Sequence, residues 1–146
     1  MQKNLKLTSF KHEQLKGLEL PLFCSPVKAG FPSPADDHIE QKLDLNQFLI
    51  KHPAATFFVR VDGDSMKDAG IHDRDILIVD RALSPKSGQI VVAILNGEFT
   101  VKRVKIEGGK LLLIPENPHF PLMEITEDIE FQIWGVVTYT IHACTP

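Results

Sequence analysis

Asn96-Gly97 stands between Gln89–Leu95 and Glu98–Ile106, two runs dominated by apolar and β-branched residues. A two-residue Asn-Gly connection places both residues at positive φ and folds its flanks into an antiparallel hairpin. A second break, Gly108-Gly109, separates Lys105–Glu107 from Lys110–Ile114. Thr56–Val61, Asp75–Val79 and Ile129–Ile141 have the same strand texture. Along the last of these Phe131, Ile133, Val137, Tyr139 and Ile141 alternate, and Gly135 sits where a bulge would shift the register. Strands with turn signals every ~8–12 residues predict a mainly β body, a sandwich or an open barrel of twisted sheets.

Helix is expected only in short pieces. Asp44 is an N-cap with Gln47 three residues on, Leu45, Phe48 and Leu49 share a face, and His52-Pro53 is the stop. Ser33-Pro34 reads as another helix start, with Asp36 and Asp37 in the first turn. Residues 1–33 show no sustained periodicity and contain Gly17, Pro21, Pro26, Gly30 and Pro32. They are expected to form a mostly extended N-terminal arm, with a turn of helix near Phe10–Leu18. The domain expectation is an arm over residues 1–29 and a β-rich body over 30–146.

With 146 residues and 43% hydrophobic content, the chain has the apolar material for one domain core. No apolar run approaches ~18 residues, and no hydrophobic stretch leads to a small-residue cleavage site, so neither a membrane span nor a secretory signal is expected. Cys24 and Cys144 lie near opposite ends without C-x-x-C spacing, which fits a reducing cytoplasm better than a disulfide framework. His52, His72, His119 and His142 do not recur at ligand spacings, so no metal site and no cofactor is expected. Residues 1–29 hold five Lys and two Glu (net +3), and residues 30–146 hold eleven Lys/Arg and seventeen Asp/Glu (net −6). An acidic body is a poor footprint for direct duplex DNA binding.

Three local features carry chemistry. The first is Ser65 in Gly63-Asp64-Ser65-Met66. Glycine before a serine permits a tight turn that presents the hydroxyl outward and leaves the Ser65 and Asp64 N–H groups as oxyanion-hole candidates. On pattern alone, Asp62-Gly63-Asp64-Ser65 is also the sequence of an ordinary polar turn. The second is Lys102, which strand alternation places on one face with Thr100 and Val104. If exposed, Lys102 is merely the polar side of an amphipathic strand. If buried, desolvation lowers its pKa, and the neutral amine becomes a general base for Ser65. Arg103 cannot substitute, since a guanidinium keeps its proton. His72 is the histidine nearest the serine in sequence and defines a competing Ser–His arrangement. The third feature is Ala29-Gly30, a bond between small residues with Val27 before it and Pro26 and Pro32 holding the flanks extended. It reads either as a plain linker or as the substrate of the dyad.

Together, Ala29-Gly30, the Gly63/Ser65/Met66/Gly70/Ile71 segment and the Phe99-Thr100-Val101-Lys102 strand resemble the LexA/UmuD family of self-cleaving Ser–Lys peptidases, peptidase family S24. The similarity runs from about Pro21 to Tyr139. It implies the LexA/UmuD C-terminal-like fold, Ser65 as nucleophile, Lys102 as general base, and self-cleavage at Ala29-Gly30. For the short, UmuD-like branch it further implies a cytoplasmic homodimer in the SOS response. Such a dimer is stimulated by a RecA–single-stranded DNA filament and, once shortened, joins a UmuC-type Y-family DNA polymerase in error-prone translesion synthesis. Only 29 residues precede Gly30, too few for a repressor's helix-turn-helix domain. The readings left open are a LexA- or phage-repressor-like fragment without its DNA-binding part, a trans-acting Ser–Lys peptidase, and a non-catalytic interaction module.

Overall fold

The computed structural model describes residues 17–23 and 39–145. The expected helix start at Ser33-Pro34, most of the turn near Phe10–Leu18, Cys24 and the Ala29-Gly30 bond lie outside the described residues. The chain divides into two compact units at Lys51/His52.

In the first unit, β1 (Leu20–Phe23) pairs antiparallel with β2 (Ile39–Leu43), with Leu20 opposite Leu43 and Leu22 opposite Gln41. The extended conformation expected for this part of the arm is therefore a hydrogen-bonded strand. Helix α1 (Leu45–Leu49) follows, and the predicted cap forms: Asp44 Oδ1 accepts from the N–H groups of Asn46 at 2.9 Å and Gln47 at 3.4 Å. The helix ends at an extended Ile50, two residues before His52-Pro53, and Pro53 opens a 3-10 turn, Pro53–Ala55.

The second unit is one seven-stranded antiparallel sheet. Its strands are β3 (Thr56–Arg60), β4 (Ile76–Asp80), β5 (Ile90–Leu95), β6 (Glu98–Glu107), β7 (Lys110–Ile114), β8 (Met123–Ile125) and β9 (Phe131–Ile141), in spatial order β3-β4-β9-β5-β6-β7-β8. The outer strands β3 and β8 do not pair with each other, so the sheet stays open and the mainly β expectation holds. Strand β8 was not legible in sequence, because three residues after Pro121 are too few to display alternation.

Both glycine-containing breaks become tight turns. Asn96 and Gly97 have φ of 48° and 83°, and Gly108 and Gly109 have 59° and 77°, the signs a two-residue primed turn demands. The register shift expected near Gly135 is present: Val92 faces Gly135 while Ala93 faces Ile133, leaving Trp134 as the extra residue. A second shift, between the Ile78–Tyr139 and Val79–Val137 pairs, bulges out Thr138.

Alternation along the central strands sends side chains into two separate cores. Leu77, Val79 and Val92 pack with Val61, Met66 and Ile71, whereas Val91, Ala93 and Val136 pack with Val104 and Leu113. Two buried carboxylates secure the strand ends. Asp80 lies 2.5 Å from His52 Nδ1 and accepts the Ala82 N–H. Asp75 lies 2.6 Å from His142 Nδ1 and accepts the His72 N–H at 2.8 Å. Burial alone would raise both carboxyls, but these hydrogen bonds outweigh it and hold them below the ordinary aspartate value.

At Gly135 the neighbouring strands β9 and β4 leave no space for a side chain, since a Cβ there would stand 2.6 Å from Val79 Cγ1. Val79 is fully buried and has no room to yield. Gly135→Ala is expected to destabilise the chain by about 1–3 kcal/mol through overpacking, read as a lower denaturant midpoint at unchanged slope. An unchanged midpoint would mean the bulge is more compliant than its packing indicates.

Candidate active site

The serine turn is built by residues that the core holds on one side and polar contacts on the other. Met66 and Ile71 are buried at 2% and 3% exposure. Between them Lys67–Ala69 forms a 3-10 turn closed by Gly70 at φ 78°. Gly63, at φ 93°, donates its N–H to Asp73 Oδ1 at 2.8 Å, fixing the start of the turn. The apolar residues of the Ser65 segment are thus anchors that leave the hydroxyl at the surface of a cleft of about 360 Å³. Val59, Met66, Phe99 and Phe120 are among the residues lining that cleft with Ser65 and Lys102.

Lys102 comes from the part of β6 that only β5 covers. The ladder with β7 begins at Arg103 opposite Ile114, so the β6 edge ahead of Arg103 has no strand partner. Here Lys102 Nζ contacts Val101 O at 2.9 Å, Thr100 Oγ1 at 2.8 Å and Ser65 Oγ at 3.2 Å. As an ammonium, its three protons meet three oxygens. As a neutral amine it has two N–H donors and one lone pair. The Val101 carbonyl can only accept, so the lone pair is available to the Ser65 hydroxyl. Burial lowers the Lys102 pKa below that of a free lysine and favours this neutral state.

The neighbouring cation has a different fate. The Arg103 guanidinium forms an ion pair with Glu116 and also donates to Gly88 O at 2.6 Å. Its charge is spent on a carboxylate, so the two adjacent cationic residues of β6 do not share a task.

The structure therefore brings Ser65 and Lys102 together and rules on the competing histidine. The His72 ring lies tilted against His142, with centroids 5.0 Å apart, and the serine's side-chain partner is Lys102. Neither carboxylate–histidine pair, His52–Asp80 or His142–Asp75, includes a serine. The oxyanion candidates, the N–H groups of Asp64 and Ser65, make no hydrogen bond among the described residues. No group of three or more His, Cys, Asp or Glu able to hold a metal occurs among the described residues. Two contacts were not anticipated. Thr100 shares a strand face with Lys102, a spacing that could have flagged it. Asn117, which donates to Asp64 O at 2.9 Å, lies in a non-periodic loop where no local pattern marks it.

A serine hydroxyl within hydrogen-bond reach of a part-buried lysine is the kind of pairing a Ser–Lys hydrolase uses. Residues 21–138 match the profile described as Peptidase S24-like, and the chain belongs to that family. It is 51% identical over 122 residues to Protein SamA of Salmonella typhimurium, covering 84% of each chain. It is 46% identical over 123 residues to Protein MucA of Escherichia coli, again covering 84% of each. LexA repressor 1 of Pseudomonas putida is 48% identical over 99 residues, which are 68% of this chain and 48% of the repressor. The resemblance seen in the motifs is thereby established at the level of family.

A part-buried lysine is a stability liability. Because its folded-state pKa is lowered, the native state disfavours the ammonium, and that penalty is fully present below the folded pKa. Measured in a Ser65→Ala background to keep the chain whole, Lys102→Met is expected to raise the unfolding free energy at neutral pH. The gain should shrink as pH climbs from the folded pKa toward the ordinary lysine value. Equal or lower stability across that range would show the amine to be well solvated.

Proposed function

We propose that this chain is a self-cleaving serine endopeptidase that cuts its own Ala29-Gly30 bond, with Ser65 as nucleophile and Lys102 as general base. The observation that carries the reading is the 3.2 Å approach of Lys102 Nζ to Ser65 Oγ, at an amine whose pKa burial lowers. Neutral Lys102 takes the Ser65 proton as Oγ adds to the Ala29 carbonyl carbon, and the carbonyl π electrons move to oxygen. Collapse of that adduct expels the Gly30 amine, which receives the proton back from Lys102. Water then releases the acyl group by the same path. Tethering substrate to enzyme raises the effective concentration, so a modest dyad suffices for a reaction needed once per chain.

Membership in the S24 family supports placing this cleavage in the SOS response. On this reading the chain is a cytoplasmic homodimer whose cleavage is stimulated by a RecA–single-stranded DNA filament. Residues 30–146 then become the active subunit of an error-prone translesion assembly with a UmuC-type Y-family polymerase. Removal of the +3 arm leaves a more acidic fragment, which favours protein partners over duplex DNA. Among the described residues, no helix is long and apolar enough to cross a membrane.

Purified protein held at alkaline pH is expected to convert to a fragment beginning at Gly30, identified by N-terminal sequencing or intact mass. The rate should rise as pH passes through the Lys102 pKa and should not change on dilution if a chain cuts itself. Ser65→Ala and Lys102→Ala should each abolish conversion. A rate that is flat from about pH 6 to 10 would point to a different base. Full-rate cleavage by Ser65→Ala would remove the dyad altogether.

A further inference from the structure

Asn117 is buried at 4% exposure and uses both ends of its amide. Nδ2 donates to the Asp64 carbonyl at 2.9 Å, and Oδ1 accepts the His119 N–H at 3.0 Å. The Asp64 carbonyl also accepts the Lys67 N–H at 3.2 Å. That carbonyl belongs to the same peptide unit as the Ser65 N–H. In a planar trans peptide the two point in opposite directions, and no cis bond occurs among the described residues. Two donors gripping the oxygen therefore fix the direction of the Ser65 N–H, which makes no hydrogen bond of its own among the described residues. Polarising a carbonyl also strengthens its amide as a donor.

The loop bearing Asn117 is tied to both halves of the dyad. Glu116 O accepts the Asp68 N–H at 2.8 Å from the serine turn, while the Glu116 carboxylate pairs with Arg103, next to Lys102 on β6. We propose that Asn117 is a positioning residue that aims the Ser65 backbone N–H at the developing oxyanion. The proposal deepens the self-cleavage reading and rests on it. Asn117 does not touch the reacting atoms, since its action passes through the 64–65 peptide.

Asn117→Asp is nearly isosteric and keeps an acceptor for the His119 N–H but removes the donor to Asp64. Asn117→Ser removes the reach without adding a buried charge, and it carries the test if the aspartate variant does not fold. The limiting rate of self-cleavage at alkaline pH is expected to fall about 10- to 100-fold, somewhat less than outright loss of an oxyanion donor. In Asn117→Ser, which adds no charge, the midpoint of the rate–pH profile should stay in place, because Lys102 keeps its surroundings. The Ser65 amide cross-peak in a ¹H–¹⁵N spectrum should move while resonances of the sheet stay put. Wild-type limiting rate in a folded variant, a displaced midpoint in Asn117→Ser, or an unmoved Ser65 cross-peak would each overturn the assignment. Ser65→Ala run alongside separates the two levels. Cleavage by that variant defeats the dyad itself, whereas an inert Ser65→Ala beside fully active Asn117 variants defeats only the role of Asn117.

Discussion

Two effects meet at Lys102 Nζ: partial burial lowers the pKa of the amine, and three oxygen partners hold the side chain folded inward. The Val101 carbonyl and the Thr100 hydroxyl come from the same strand, so two of the three are supplied locally. Only the Ser65 hydroxyl has to be brought from elsewhere, and most of the surrounding architecture can be understood as what brings it.

That delivery depends on the staggered ends of neighbouring strands. Strand β6 runs for ten residues, but β7 pairs with it only from Arg103 onward, and the exposed stretch of edge is where the serine turn meets it. The loop that leaves β7 passes the same point and grips the turn from the far side through Glu116 O and Asn117. Behind the turn, Asp73 holds Gly63, and Asp75 ties its own loop to His142 at the end of the sheet. Hydrophobic anchoring by Met66 and Ile71 sets the depth, and the polar contacts set the direction.

The parts of this arrangement that repeat or that use special residues were legible in the sequence. Asn96-Gly97 and Gly108-Gly109 declared their turns because few residues accept positive φ, and Gly135 marked its bulge for want of space against Val79. Asp44 announced α1 because a cap is a local interaction. Pairing of Leu20–Phe23 with Ile39–Leu43 was not legible, since fifteen intervening residues separate the partners and neither strand alternates cleanly. Alternation grouped Lys102 with Thr100 and Val104, but whether that position was covered depended on a turn 37 residues away in sequence. Asn117 escaped notice for the same reason, because its partner is 53 residues distant and its own loop has no period.

The Asn96-Gly97 turn also acts as a counter. Side chains on a strand alternate faces, so adding or removing one residue ahead of Lys102 while the pairing with β5 is kept would exchange its place with a neighbour's. The neighbours are Val101, whose side chain has no lone pair to accept a proton, and Arg103, whose guanidinium will not give up the proton it holds. Substitutions that keep the turn's length are filtered by ordinary folding energetics, but a change of length rewrites the chemistry of the cleft even when the sheet survives. This two-residue turn is therefore far less free to drift in length than in sequence.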